Sequence, residues 1–204
     1  MRSLFHTTTI LAMFAAIPAG AMTIASSTNG PDAGVPAGQR LITNFDTAAG
    51  LGGGYQLTTG SLSGQYAAPL GDTTQYLTVL GGQIASLAIS PAVKALSFYW
   101  GSIDNYNTVS FFSGSALVAS FTGGQVPAAP ADGSQGSPTN NRRVSFAFDG
   151  AAIDRVNFAS SSNSFELDTI AGAVPEPASW VMLVAGFGLV GAAARRRNPA
   201  VVAA

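Results

Sequence analysis

The sequence predicts an all-β domain that folds as a single β-sandwich of the jelly-roll type over residues 40–171. Short stretches show the two-residue apolar alternation of strands. Turn residues separate these stretches at intervals of about 8–12 residues, and no 3.6-residue apolar stripe interrupts them. The 153 residues from 22 to 174 are enough for one domain with its own hydrophobic core.

Nine segments carry the strand pattern, and the alternation defines which side chains should face inward. In the fourth segment Leu96, Phe98 and Trp100 are predicted to be core residues, and Val144 and Phe146 begin the clearest alternation of the chain. Gly81-Gly82 is predicted to be a hairpin turn between the second and third segments. The predicted segments are 41–46, 75–80, 83–89, 94–100, 107–112, 116–122, 142–149, 156–158 and 165–167.

Two stretches lack the strand pattern. Residues 22–39 are rich in Gly, Pro, Ser and Asn and are predicted to be a flexible leader. Residues 123–141 contain three prolines and are predicted to be a disordered excursion, either a binding loop, a glycosylated segment or a tolerated insertion.

Composition excludes several functions. The body from 22 to 174 has five basic and nine acidic residues, so it offers no basic patch for nucleic acid. Cysteine is absent and the single histidine is His6, outside the body. Histidine-dependent catalysis and His- or Cys-ligated metal sites are therefore excluded. We expect no enzyme activity and no cofactor.

Both termini predict export. Residues 1–21 combine Arg2, an apolar stretch at 10–16 and the small residues Ala19-Gly20-Ala21, which is the pattern of a signal peptide cut by signal peptidase. Residues 178–194 are uncharged and are predicted to form a short transmembrane helix. With a rise of ~1.5 Å per residue, such a helix is just long enough to cross the hydrocarbon core of a bilayer. The arginines that follow in 195–204 predict a cytoplasmic basic tail.

The C-terminal segment resembles the PEP-CTERM sorting signal of Gram-negative bacteria, and a linker at 172–177 carries its tripeptide. The resemblance implies cleavage by a membrane-embedded exosortase, so that an inner-membrane-anchored precursor is released to the cell surface or extracellular matrix. The same signal is also known as the C-terminal domain of ice-binding proteins, but Thr58-Thr59 and Thr73-Thr74 are isolated pairs and form no ice-binding ladder. The matching residues are Pro175, Glu176, Pro177, Trp180, Gly186, Gly188, Gly191, Arg195, Arg196 and Arg197.

Three blocks in the body, 95–104, 106–111 and 158–168, also resemble the ectodomains of PEP-CTERM surface proteins. This second resemblance supports the sandwich and implies no particular activity. We therefore expect a structural or adhesive role in extracellular polysaccharide, with a carbohydrate-binding, lectin-like module as the alternative.

Two groups of residues are candidates for ligand chemistry. Asp104, Asn105, Tyr106 and Asn107 form a polar loop after an aromatic strand, with the hydrogen-bonding groups and the ring that sugars require, although Asp and Asn are also ordinary turn residues.

The second group is a pair of carboxylates. Glu166 and Asp168 lie two apart on a predicted strand and therefore share a face. Such a pair is compatible with the two carboxyl groups of a glycosidase or with part of a calcium site. The sequence favours a plain solvated surface, because Phe165 and Leu167 occupy the inward positions.

Overall fold

The computed structural model describes residues 22–174 and 179–196, and its strands form two antiparallel sheets that share one core. A 3-10 turn at Gly123–Gln125 follows the ninth strand. The strands are β1 (Met22–Asn29), β2 (Arg40–Thr43), β3 (Leu51–Gly53), β4 (Gln56–Thr58), β5 (Tyr76–Val79), β6 (Gln83–Val93), β7 (Ala95–Gly101), β8 (Asn107–Ser113), β9 (Ala116–Thr122), β10 (Arg142–Phe148), β11 (Ile153–Ser160) and β12 (Phe165–Ala173), and the helix is α1 (Ser179–Arg196).

The larger sheet has the order β1-β10-β7-β12-β5-β4, with β2 pairing a second part of β12. The smaller sheet has the order β3-β6-β11-β8-β9. The predicted all-β sandwich is confirmed. Strands β7 and β12 each have a neighbouring strand on both sides in the larger sheet, and their side chains contribute to both of its faces.

The core lies between the two sheets and is dominated by aromatic rings. The rings of Phe98 and Phe158, which belong to different sheets, meet edge to face with centroids 5.4 Å apart. Trp100 stacks on Phe165 at 4.5 Å. The predicted inward side chains Leu96, Phe98, Trp100, Val144 and Phe146 are all 0% exposed. The alternation therefore predicted the inner face of this sheet correctly.

The outer face of the larger sheet is also buried, because residues 30–39 and 59–74 lie across it. The Tyr99 hydroxyl donates to the carbonyl of Leu70 at 2.8 Å, and the Ser97 hydroxyl donates to the Gln39 side chain at 2.6 Å. The prediction that Glu166 and Asp168 lie on a solvated surface is wrong: they are 2% and 7% exposed. Their side chains belong to a buried polar layer beneath these two segments.

The hairpin predicted at Gly81-Gly82 is wrong, since β5 and β6 belong to different sheets. The dipeptide instead carries the chain from one sheet to the other. Gly81 donates its N–H to the Asn163 side chain at 2.8 Å, and a Cβ on Gly81 would lie 3.1 Å from the backbone of Ser162. Close approach to the β11–β12 loop is therefore the reason for glycine here. The connection between β8 and β9, in contrast, is a hairpin.

The predicted flexible leader contains a strand. Residues 22–29 form β1, which pairs with β10 at the edge of the larger sheet. Beyond it, Asp32 accepts two hydrogen bonds from Arg143, with distances of 2.6 and 2.5 Å. Arg143 is 5% exposed and needs this partner, because an unpaired charge is costly to bury. The leader is thus part of the folded domain.

At the other end, β12 runs through Ala173, two residues beyond the predicted domain boundary. The helix α1 includes Arg195 and Arg196 among its 18 residues. Within the described parts of the chain, no helix is both long and apolar enough to cross a membrane. The transmembrane prediction for 178–194 is therefore not supported by α1. The predicted signal peptide at 1–21, the tripeptide Pro175-Glu176-Pro177 and Arg197 lie outside the described residues.

Candidate functional site

A polar cavity of about 260 Å³ opens at the end of the sandwich where β7 and β11 finish and β8, β10 and β12 begin. Four segments converge on it: residues 64–66, the β7–β8 loop, residues 132–135 and the β11–β12 loop. Loops at one end of a rigid sandwich are a usual place for binding residues. Its lining consists of Gly64, Gln65, Tyr66, Ser102, Asp104, Tyr106, Asp132, Gly133, Gln135, Asn163, Ser164 and Glu166.

The structure divides the predicted ligand loop. Asp104 and Tyr106 lie in the wall of the cavity, and Asn105 is exposed beside them. Asn107 is 0% exposed and has a structural part, because its side chain donates to the Ser164 carbonyl at 3.1 Å and accepts from Ser160 at 2.8 Å. Two of the four predicted residues therefore line the cavity, and Asn107 holds the adjoining loops together.

Tyr106 stands between this cavity and a shallower one of about 460 Å³. Its hydroxyl donates to the carbonyl of Asn163 at 2.6 Å, which fixes the ring against the β11–β12 loop. The second cavity also includes Asn105 and the exposed side chain of Ile84. The two cavities therefore share one aromatic wall.

Residues 123–141, which the sequence predicted to be a disordered excursion, are ordered and form one wall of the cavity. Asn141 is 0% exposed; its side chain accepts from the N–H groups of Leu70 and Ser102 at 2.9 and 3.1 Å and donates to two carbonyls of the loop. Asn140, also buried, accepts from the Ala131 N–H at 3.1 Å. The hydrogen bonds of these two side chains hold residues 123–141 in one conformation, although the composition of the segment is typical of disorder.

Glycine 133 has a specific steric role in that wall. Its φ is +72°, in the left-handed region that favours glycine. A Cβ at this position would clash with the Asp104 carboxylate. Glycine thus lets the 123–141 segment approach the β7–β8 loop, where Asp104 and Asp132 form a single antiparallel bridge.

Glu166 lies at the base of the cavity with its carboxylate fully engaged. It accepts hydrogen bonds from the Ala67 N–H at 3.0 Å, from the Ser102 hydroxyl at 2.9 Å and from the Ser164 hydroxyl. Burial raises the pKa of Glu166 above its ordinary value, and these three donors act in the opposite direction. Burial also raises the pKa of Asp104 in the same cavity. Through these hydrogen bonds Glu166 connects β12 to residues 59–74 and to the loop that follows β7.

Asp168 does not share this site. It lines a separate cavity of about 160 Å³, together with Asp32, Asp72 and Tyr99. Burial raises the pKa of Asp168 to about 6. The less favoured alternatives, a glycosidase pair or a calcium site formed by Glu166 and Asp168 together, do not fit the structure, because the two carboxylates line different cavities.

Several residues of the polar cavity were missed from the sequence. Gln65 and Tyr66 lie within residues 59–74, a segment that lacks the strand alternation from which its position could be predicted. Asp132 and Gln135 lie in a stretch that resembles a simple insertion. The available signal was the pair Asn140-Asn141 directly before a strand, since buried amides that bond backbone groups order irregular segments.

The C-terminal segment gives the clearest comparison with known proteins. The family model of the PEP-CTERM protein-sorting motif matches residues 173–197. This chain carries a PEP-CTERM sorting motif. The motif begins at Ala173, the last residue of β12, so it follows the sandwich directly. A PEP-CTERM motif implies an exported, membrane-anchored precursor that an exosortase, a membrane protease, processes to the cell surface.

Other comparisons are distant. No curated protein matches the chain. The catalytic unit of a thermostable GH87 alpha-1,3-glucanase from Streptomyces thermodiastaticus is similar at 16% identity with a TM-score of 0.40; the match covers 71% of this chain and only 28% of that one. CsCBM6-3 from Clostridium stercorarium, solved with cellobiose, is similar at 14% identity and a TM-score of 0.34, covering 77% of this chain and 95% of that one. Such low TM-scores assign no function.

Proposed function

We propose that this chain is an exported, exosortase-sorted protein whose ectodomain binds polysaccharide at the surface or in the extracellular matrix of a Gram-negative bacterium. Binding would give it a structural or adhesive role there. The observation that carries the proposal is the open polar cavity at the loop end of the sandwich, with tyrosine rings in its wall. The sorting motif at 173–197 supports the location.

The lining of the cavity offers the groups that sugars need. A pyranose has an apolar face that stacks on an aromatic ring and a rim of hydroxyls that need donors and acceptors. Tyr66 and Tyr106 are half-buried and supply rings, and Gln65 and Gln135 are exposed and supply amides that both donate and accept. The carboxylates of Asp104 and Asp132 add acceptors. Among the residues that the structure describes, no lysine or arginine lines the cavity.

The shared wall favours a chain of sugars over a single unit. Tyr106 lines two cavities, of about 260 and 460 Å³. Pockets for drug-sized ligands are ~300–1,000 Å³, so the first cavity is smaller than such a pocket and the second is near the lower end of the range. A polysaccharide that crosses the Tyr106 ring would place consecutive units in the two cavities.

We further propose that binding occurs without cleavage. Glycoside hydrolysis needs two carboxyl groups free to act as acid and as base or nucleophile. Glu166 is buried and already accepts three hydrogen bonds, and Asp132 accepts hydrogen bonds from Ser134 and Asn140, so two of the three carboxyl groups that line the cavity are held by the protein itself. This supports the expectation from the sequence that the chain is not an enzyme.

Replacing Gln65 and Gln135 together with alanine should weaken glycan binding by roughly 5- to 150-fold. Each lost hydrogen bond contributes ~0.5–1.5 kcal/mol, and ~1.4 kcal/mol is a factor of ten in Kd. Tyr106→Ala should weaken it further, because the stacking surface is removed. A glycan array of bacterial and plant oligosaccharides identifies the ligand, and calorimetry with that oligosaccharide gives Kd.

The matched control is Gln56→Ala, an exposed glutamine on β4 that lines neither cavity. It should bind as the unchanged chain does. Equal loss in Gln56→Ala, or no glycan bound by the unchanged chain, would contradict the proposal. The same mixtures should develop no new reducing ends, and a steady release of sugar would show an enzyme instead.

The sorting motif gives a second testable expectation. Glu176→Ala should leave the precursor unprocessed in the membrane, because a carboxylate between two rigid prolines is the distinctive element of the motif. Intact-mass measurement of membrane and surface fractions, in a host with an exosortase, reads the C-terminus directly. Asp149→Ala, at an exposed acid outside the motif, serves as the control and should be processed normally. Processing of Glu176→Ala at the normal rate would rule out this role of the tripeptide.

A further inference from the structure

We propose that Asp72 and Asp168 bind a calcium ion in the cavity of about 160 Å³ beneath residues 30–39 and 59–74. This cavity is distinct from the polar cavity at the loop end, and the proposed glycan binding does not depend on it. It lies on the outer face of the larger sheet, between β12, Tyr99 and the loop that contains Leu70 and Gly71.

Two carboxylate oxygens in this cavity are buried without a hydrogen-bond partner. Asp168 is 7% exposed; its Oδ2 accepts from the Thr169 hydroxyl at 2.9 Å, whereas its Oδ1 has no partner. Asp72 uses Oδ1 to accept from the N–H and hydroxyl of Thr74, at 2.8 and 2.7 Å, and its Oδ2 is likewise buried and without a partner. A buried polar atom without a partner is rare, and a bound ion or water is one explanation for it.

The nearby donors are already used. Tyr99 gives its only hydroxyl hydrogen to the Leu70 carbonyl. Arg143 is bound to Asp32 through two of its nitrogens and gives further hydrogens to Ser97 and the Thr169 carbonyl. Asp32 is thereby neutralised, but Asp72 and Asp168 are not, and no other cation lines the cavity. Two uncompensated carboxylates match the charge of one divalent cation.

Calcium fits this donor set better than a transition metal does, because the ligands are oxygens only. Within the described residues, no three His, Cys, Asp or Glu side chains are placed to hold a metal together. Two carboxylates therefore supply the charge, and water completes the 6–8 ligands; at ~30 Å³ per water, the cavity has room for several. We expect a Kd of ~10⁻⁴–10⁻³ M, the range of extracellular calcium modules.

Calorimetric titration of the full chain with calcium chloride, after treatment with a chelator, tests the proposal. One calcium ion should bind per chain, and at ten times Kd the Tm should rise by about 3–6 °C. Asp168→Asn and Asp72→Asn should each abolish both effects. Because Asp72 is only half-buried, Asp72→Asn keeps the test decisive even if Asp168→Asn impairs folding. Asp149→Asn, at an exposed acid outside the cavity, should retain both effects.

The absence of binding at 10⁻² M calcium would overturn the proposal. Calcium binding that survives in both Asp72→Asn and Asp168→Asn would also overturn it, by placing the ion elsewhere. Loss of calcium binding with glycan binding retained would show that the two sites are independent.

Discussion

Phe146→Ala should lower the free energy of unfolding by about 3–5 kcal/mol, a large share of the ~5–15 kcal/mol that stabilises a single domain. Phe146 is 0% exposed and lies at the centre of the aromatic core. Its ring stacks on Phe98 with centroids 5.6 Å apart and contacts Phe111 at 4.8 Å and Phe121 at 5.6 Å. Alanine would leave a cavity that rings held by two sheets cannot close. Denaturant unfolding of the full chain measures the change.

Ser145→Ala is the matched control, since Ser145 directly precedes Phe146 in β10 and points away from the core. It should change the free energy of unfolding by less than about 0.5 kcal/mol. Equal destabilisation by both substitutions would contradict the assignment of inner and outer faces to β10.

Asn141→Ala should cost a similar amount, about 3–5 kcal/mol, for a different reason. The side chain satisfies four backbone groups, one in a buried hydrogen bond and three in partly buried ones: it accepts from Leu70 and Ser102 and donates to Gln135 and Ser137, all at 2.9–3.1 Å. Each buried group left without a partner costs ~1–3 kcal/mol. The substitution should also weaken glycan binding, because it releases the wall formed by 132–135.

The control for this prediction is Asn44→Ala, an exposed asparagine whose side chain bonds only to Asp46, two residues away. Its effect on denaturant unfolding should be within about 0.5 kcal/mol of zero. If Asn141→Ala were equally mild, residues 123–141 would be a loose insertion, as the sequence suggested, and not a wall of the site.

The inner face of the sandwich follows from the sequence because the signal is local. Phe98 and Phe146 occupy alternate positions in their strands, and a period of two places them on one face whatever the rest of the chain does. The same rule fails for the outer face. Glu166 and Asp168 follow the polar register of β12, but residues 59–74 and 30–39 cover that face from far away in the sequence. Period-two alternation does not reveal such a cover.

The site was predictable only in part for a related reason. Asp104 and Tyr106 stand in a loop directly after an aromatic strand, so their position at the end of the sandwich follows from local order. Tyr66 and Asp132 reach the same cavity through segments without regular structure, whose path is set by buried side chains such as Asn141. The turn at Gly81-Gly82 was misassigned because a two-glycine connection serves a hairpin and a crossing between sheets equally well.

Glycan binding at the polar cavity is tested most directly by NMR titration of the labelled protein with the oligosaccharide identified on the array. The account predicts that backbone shifts move at Tyr66, Ser102, Tyr106 and Asn163, while those at Lys94 and Gly150, at the opposite end of the sandwich, stay fixed. The shifts should saturate at the Kd found by calorimetry and should be absent in Tyr106→Ala. Shifts confined to the Lys94 end, or shifts near the cavity that persist unchanged in Tyr106→Ala, would contradict it.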